Sequence, residues 1–162
     1  MQMDSIDLRI LSELQQNAKL TNAELASRVN LSASPCLTRV RAPEVAGIID
    51  RYVTLLDPEE IGLTVNVFIQ ISLDRQIEMA LERFEKAVLQ FPEVMECYLM
   101  TGNSDYLLRV AVKDLGDLER LIVNRLSRIE NMSSIRSSIA LKRVKYHTEL
   151  PLPQPSRPIG GR

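Results

Sequence analysis

The chain has 162 residues, 45% hydrophobic and 25% charged, with a formal net charge of −1. That composition is ordinary for a globular protein and leaves room for one domain or two small ones. It excludes polyanion binding driven by bulk charge, though not by local basic patches. With aromatic residues at 4% and no tryptophan, a stacking platform for single-stranded nucleic acid is not expected.

The longest apolar runs are only a few residues, so no membrane-spanning helix is expected. The start, Met1-Gln2-Met3-Asp4, lacks a basic stretch followed by an apolar one, so no secretory signal is expected. Cys36 and Cys97 make neither a disulfide framework nor a zinc cluster. They read as reduced thiols in a cytoplasmic setting.

Over residues 4–16, Ile6, Ile10, Leu11 and Leu14 recur at spacings of three and four, which predicts a helix with one apolar face. Thr21 followed by Glu24 has the capping-box form and opens a second, short helix ending near Asn30, with Leu25, Ala26 and Val29 inward. Leu31-Ser-Ala-Ser-Pro35 is a turn into a third helix. Ser34 is the expected N-cap and Pro35 the first helical residue, where no amide hydrogen is needed. Leu37 and Val40 are expected inward, with Cys36, Thr38, Arg39 and Arg41 on other faces. Gly47 fits the helix stop. Residues 48–56, β-branched and apolar, read as a strand or short hairpin arm. Three helices with a tight turn between the second and third, then a strand, give the order of a winged helix-turn-helix.

The acidic, Pro- and Gly-containing stretch from Asp57 marks a linker. Beyond it the period changes. Val65, Val67, Ile69, Ile71 and Leu73 alternate with Asn66, Phe68, Gln70 and Ser72, a strand with one buried face. A helix over 76–90, strands at 94–101 and 106–112, a helix capped by Asp114 and a strand at 135–144 complete a β-α-β-β-α-β order, the split pattern of ferredoxin-like folds. The expected architecture is therefore α+β: a winged helix-turn-helix over 1–56, a linker over 57–63, a ferredoxin-like βαββαβ domain over 64–149, and a tail over 150–162. The tail is rich in proline and glycine and is expected to be poorly ordered at its end.

Asp7-Leu-Arg-Ile-Leu-Ser-Glu-Leu-Gln, Leu31-Ser-Ala-Ser-Pro-Cys-Leu-Thr-Arg-Val-Arg, Ala46-Gly-Ile-Ile and Thr101-Gly-Asn-Ser-Asp-Tyr-Leu-Leu, in this order and at these gaps, resemble the Lrp/AsnC family of leucine- and asparagine-responsive transcription regulators. The resemblance runs from about residue 3 to 153. It implies an N-terminal winged helix-turn-helix that binds double-stranded DNA, and a C-terminal ferredoxin-like domain that binds a small amino-acid effector and assembles subunits. One departure stands out. After Arg41 the family continues with a basic residue, a leucine and a glutamate, where this chain has Ala42-Pro43-Glu44. A proline inside a helix removes one backbone bond and crowds the preceding turn, at roughly 3 kcal/mol. The third helix is expected either to end early or kink, or to run through under strain.

Reading bases requires a helix in the major groove with donors facing base edges. The third helix, opened by Pro35, offers Ser34, Thr38, Arg39 and Arg41. Ser32 and the start of the second helix, Thr21 and Asn22, are placed for phosphates. The plain alternative is that Arg39 and Arg41 form a solvated basic face. Residues 1–60 hold six basic against nine acidic side chains, a net of −3, and only the stretch from Arg28 to Arg51 is locally positive. One such module binds weakly. Linking several raises the effective concentration of the next contact, so an oligomer is expected on charge alone. The resemblance adds dimers grouped as tetramers or octamers.

The loop Thr101, Gly102, Asn103, Ser104, Asp105, Tyr106 is the second candidate site. Gly102 permits a sharp turn, Asp105 could pair with an α-ammonium group, and Met100 suggests an apolar wall; by spacing alone the segment is an ordinary hairpin loop. The resemblance implies that it lines an effector pocket between subunits, with Ser137 and Ser138 closing the pocket from a neighbour. No metal cluster, phosphate loop or nucleophile motif stands in the sequence, so neither cofactor nor enzymatic activity is expected. Cys36, in the first turn of a helix, is at most a stabilised thiolate and more simply a packing residue. Pro43 keeps two other expectations open: an amino-acid sensor with weakened or lost DNA binding, or the regulatory subunit of an amino-acid enzyme.

Overall fold

A computed structural model describes residues 3–74 and 78–153. The described residues form two compact units, 3–54 together with 145–153, and 55–144.

The first unit opens on α1 (Ser5–Gln16), where Asp4 and Asp7 form a reciprocal capping box. In α2 (Asn22–Arg28), Thr21 and Glu24 do the same. Asn30 then takes a left-handed conformation (φ 58°), and the Leu31 amide reaches back to the Ala26 carbonyl at 2.9 Å. This closes α2 and turns the chain into α3 (Ala33–Val45). Ile10, Leu25, Ala26, Val29 and Cys36 form the buried core.

Three local expectations change in α3. Its N-cap is Ser32 rather than Ser34, and Ser32 makes no side-chain cap bond. Pro35 is therefore the third helical residue. That position tolerates proline as the first does, since the opening amides of a helix have no intrahelical acceptor. The inward face is Cys36, fully buried, with Val40 and Pro43, at spacings of four and three; Leu37 is 39% exposed. Finally, α3 does not end at Arg41. It runs through Pro43, which is buried, and stops at Ala46 and Gly47, where φ reaches +70°. The Pro43 carbonyl takes the Ile48 and Ile49 amides at 2.9 and 3.2 Å, so the turn that follows the proline is well bonded.

The expected strand over 48–56 is not formed, because a strand needs a neighbour to bond and none among the described residues pairs with this segment. The Tyr52 hydroxyl donates to Glu44 Oε1 at 2.8 Å and ties the segment back to α3. The tail is also not separate: residues 145–153 group with the helix-turn-helix. The poorly ordered end expected for it lies outside the described residues.

The second unit is a four-stranded antiparallel sheet in the order β2-β3-β1-β4. β1 (Val65–Leu73) and β3 (Tyr106–Val112) hold the centre, while β2 (Val94–Leu99) and β4 (Met132–Ile139) are the edges. The chain order is βαββαβ, with α4 (Glu78–Val88 as described) and α5 (Leu115–Asn124) as crossovers. The start of the helix expected at 76 lies outside the described residues. Val67, Ile69, Ile71, Leu108 and Val110, all fully buried, pack with Phe84 of α4 and with Leu118 and Leu121 of α5. β4 starts and ends earlier than expected, and Ala140 adds a last bond to the Asn66 carbonyl.

Candidate functional site

Helical geometry divides α3 into two faces. Ser34, Thr38 and Arg41, at spacings of four and three, are exposed on one side. The Thr38 hydroxyl donates to the Ser34 carbonyl at 3.2 Å. Ser32 and Pro35 are exposed beside them. Arg39 lies on the other side, three residues after buried Cys36. Its Nη1 donates to Asp4 Oδ2 at 2.7 Å and to Asp7 Oδ1 at 2.6 Å. Arg39 is thus spent on holding α3 to the N-terminus of α1, and the outward basic group of the helix is Arg41. The Asp4 carboxyl lies below its ordinary value, chiefly through the Asp7 backbone amide and then through Arg39. Nothing local in the sequence marks Asp4 and Asp7 as partners of Arg39, because the pairing spans more than thirty residues. The available signal was an arginine one turn beyond an apolar inward residue.

The two candidate phosphate contacts on α2 also have structural duties. The Thr21 hydroxyl accepts from the Glu24 amide and donates to Glu24 Oε2. Asn22 Nδ2 donates to the Ala33 carbonyl at 2.8 Å, fixing the start of α2 against the start of α3. The starts of α2 and α3 are therefore held side by side. Cys36 is buried, and burial pushes its thiol up, so it is a packing residue rather than a thiolate.

In the loop between β2 and β3, Gly102 has φ +126°, a conformation that L side chains rarely adopt. The Met100 amide bonds the Asp105 carbonyl at 2.8 Å and closes the hairpin. Thr101 and Asn103 are exposed at its tip, with Met100 at its base 41% exposed. Asp105 is buried, and its Oδ2 accepts from the Leu73 amide at 2.7 Å. It locks the end of β1 to the start of β3. Tyr106 is a core residue: it is 1% exposed, its ring centroid lies 4.4 Å from that of Phe84, and its hydroxyl donates to Glu85 Oε1 at 2.7 Å. Ser137 pairs with buried Ile69 and Ser138 with half-exposed Phe68, so the two serines point to opposite faces of the sheet. Only one of them can serve any one pocket. Among the described residues no group of three or more His, Cys, Asp or Glu side chains could hold a metal ion. No helix among them is long and apolar enough to cross a membrane.

A helix-turn-helix head with one exposed helix face, followed by a ferredoxin-like domain, defines a two-domain regulator. Residues 3–42 match the AsnC-type helix-turn-helix domain and residues 66–150 the Lrp/AsnC ligand binding domain. The Bkd operon transcriptional regulator of Pseudomonas aeruginosa is 40% identical over 93% of this chain and 99% of its own length. The leucine-responsive regulatory protein of Escherichia coli K12 is 37% identical over 91% and 90%. Among solved structures, a transcriptional regulator from Neisseria meningitidis in complex with L-Met is 39% identical, with a TM-score of 0.89 over 93% of this chain and 97% of that one. An AsnC family regulator from Agrobacterium tumefaciens is 40% identical, with a TM-score of 0.87 over 92% and 97%. The chain belongs to the Lrp/AsnC family of transcriptional regulators.

Proposed function

We propose that this protein is an amino-acid-responsive regulator that reads operator DNA with the outer face of α3. The carrying observation is the division of labour on that helix: Arg39 is clamped to Asp4 and Asp7 behind it, leaving Ser34, Thr38 and Arg41 outward on a rigid support. A rigid, short helix with a cationic tip and two hydroxyls suits base edges and phosphates in the major groove. Ser32, Thr21 and Asn22 supply the adjoining helix starts. The reading as a sensor with weakened or lost DNA binding rested on Pro43; that α3 continues through it, with its outer face intact, favours a helix that still reads DNA.

The effector reading rests on the loop from Met100 to Asp105. The relative solved with L-Met supports a small amino acid as the class of ligand. With Asp105 Oδ2 engaged by Leu73, ligand contacts fall to the exposed loop tip, Thr101, Gly102 and Asn103, with Met100 beside them. Assembly completes the picture. α4 and α5 cover one face of the sheet, while Phe68, Leu107 and Tyr98 lie on the other around an Arg109–Glu96 pair at 2.6 Å. Burying that face against a second copy gives a dimer, which provides the paired heads that a weakly charged module needs.

Capture of genomic DNA fragments by the purified chain, with and without a mixture of amino acids, tests the reading. Enrichment of a few fragments, changed by the mixture, is expected. Capture of no fragment above background overturns DNA reading, and enrichment indifferent to every amino acid overturns the effector. A monomer by light scattering at micromolar concentration overturns the assembly.

A further inference from the structure

The helix-turn-helix is joined to the ligand domain twice. The first connection runs from the end of α3 at Val45 to the start of β1 at Val65. The second leaves β4 at Ile139 and returns to α1, where the Gln15 side-chain amide grips the backbone of Leu150 from both sides. The Leu150 amide donates to Gln15 Oε1 at 2.6 Å, and Gln15 Nε2 donates to the Leu150 carbonyl at 3.2 Å. This is the exchange a neighbouring strand would make, supplied by one side chain. Around it, Leu8 and Ser12 of α1 face Leu152 and Pro153 across a cavity of about 390 Å³. Leu8 is buried although it lies outside the helix-turn-helix core.

The two connections differ in length. Leu150 lies eleven residues after Ile139, and Val65 lies thirteen after Tyr52, which is itself tied to Glu44 of α3. At full extension these span at most roughly 40 and 45 Å. While the segment is docked, the shorter connection sets the limit. We infer that residues 149–153 are a strap, docked on the outer face of α1 through Gln15, that sets the reach of the helix-turn-helix from the ligand domain. Undocking hands that limit to the longer linker. In an assembly that reads paired DNA sites, which rests on the function proposed above, a shorter tether narrows the range of site spacings that two heads can bridge.

Two full-length variants release the strap in different ways. Gln15→Leu removes the grip from α1, and Leu150→Pro removes the amide that it holds. The measurement is a distance distribution between spin labels on cysteines introduced at Lys19 and Glu82. Cys97 is replaced by serine, and labelled chains are diluted into unlabelled ones so that only pairs within a chain are read. Both sites are exposed, one in each unit. The unmodified strap is expected to give a narrow distribution and both variants a broad one extending to longer distances. Hydrogen exchange is expected to show the Leu150 amide protected in the parent and fast in Gln15→Leu. A Leu150 amide that exchanges like free peptide in the parent overturns the strap. Equal distributions in parent and variants overturn its control of reach. Both readouts are free of DNA, so they decide the strap even if the chain binds no operator. On DNA, released variants are expected to tolerate changes in site spacing that cost the parent tenfold or more in affinity.

Discussion

Arg39 Nη1 stands 2.6 Å from Asp7 Oδ1 while also reaching Asp4 Oδ2. The Asp7 side chain is only 9% exposed, so the guanidinium neutralises a carboxylate that has left solvent. The same two aspartates cap α1. One arginine therefore ties α3 to the start of α1, and it does so from the side opposite Ser34, Thr38 and Arg41. Two arginines two residues apart thus differ: Arg39 is a brace, and Arg41 is the exposed group proposed to read DNA.

The two arginines should fail in different ways. Arg39→Ala strands the buried Asp7 carboxylate and should lower the unfolding temperature of the helix-turn-helix, with loss of DNA binding following the loss of fold. Arg41→Ala removes only an exposed group. It should leave unfolding unchanged while weakening operator binding, by about 1–3 kcal/mol if it meets a base edge. A phosphate contact would instead weaken all sequences alike and reduce the salt slope. Thermal unfolding and DNA binding on both proteins decide it. A cool-melting Arg41→Ala, or an Arg39→Ala that folds normally and loses only operator preference, reverses the assignment.

The helix-turn-helix should be labile to acid. Asp4 is held below its ordinary 3.8, first by the Asp7 amide and then by Arg39. Glu24 is held below 4.5, first by the Thr21 amide and then by its hydroxyl. A carboxyl with a depressed folded pKa contributes stability that is present above the unfolded value. That stability is lost as pH falls through the folded one. Stability should therefore decline from about pH 4.5 downward. Replacing the pair, Asp4→Asn with Glu24→Gln, should lower stability at neutral pH and flatten this decline. Denaturant melts between about pH 6 and 2.5 measure it. An unchanged slope would show that the acid sensitivity lies elsewhere.

Tyr106 is expected to serve the core and not the ligand. Tyr106→Phe keeps the ring against Phe84 and removes the bond to Glu85, which should cost about 1–2 kcal/mol of ligand-domain stability. Amino-acid binding by calorimetry should be unchanged. A normal melt with lost binding would return the residue to the pocket.

Periodicity made most of the ligand domain legible. The alternation in β1 and the return of apolar residues at helical spacing carry their own explanation, since one buried face per element suffices to build the sheet and its covering helices. The helix-turn-helix order was legible from its caps. What stayed hidden depends on partners distant in sequence. The Gln15 grip on Leu150 crosses 135 residues, and no composition rule marks it. Residues 48–56 have strand chemistry but, among the described residues, no strand neighbour, so propensity alone does not decide their structure. In the loop, Asp105 and Tyr106 had the right chemistry for a ligand, but Leu73 and Glu85 engage them from inside. The phase of α3 is hidden because a small cysteine, rather than the leucine beside it, marks the inward face.

Pro43 offers the sharpest test of how α3 is held. It is buried at the third position from the helix end, and its nitrogen cannot donate to the Arg39 carbonyl. Pro43→Leu restores that donor and keeps an apolar group in the core. Near a helix terminus the gain should fall below the roughly 3 kcal/mol of an interior proline, because fewer turns depend on the bond. Against it stands overpacking, since leucine is the larger side chain, and a tight site charges about 1–3 kcal/mol for added methylenes. The turn beyond the helix favours the gain: it is anchored through the Pro43 carbonyl to Ile48 and Ile49, and those bonds survive the substitution. A higher unfolding temperature is therefore expected. Operator affinity should rise less than stability, because Arg41 and Thr38 already stand on an unbroken helix. A lower unfolding temperature would show that the core is shaped to the proline ring. A large rise in affinity with no change in stability would show that α3 bends at Pro43 in solution and that the reading face is straightened by leucine.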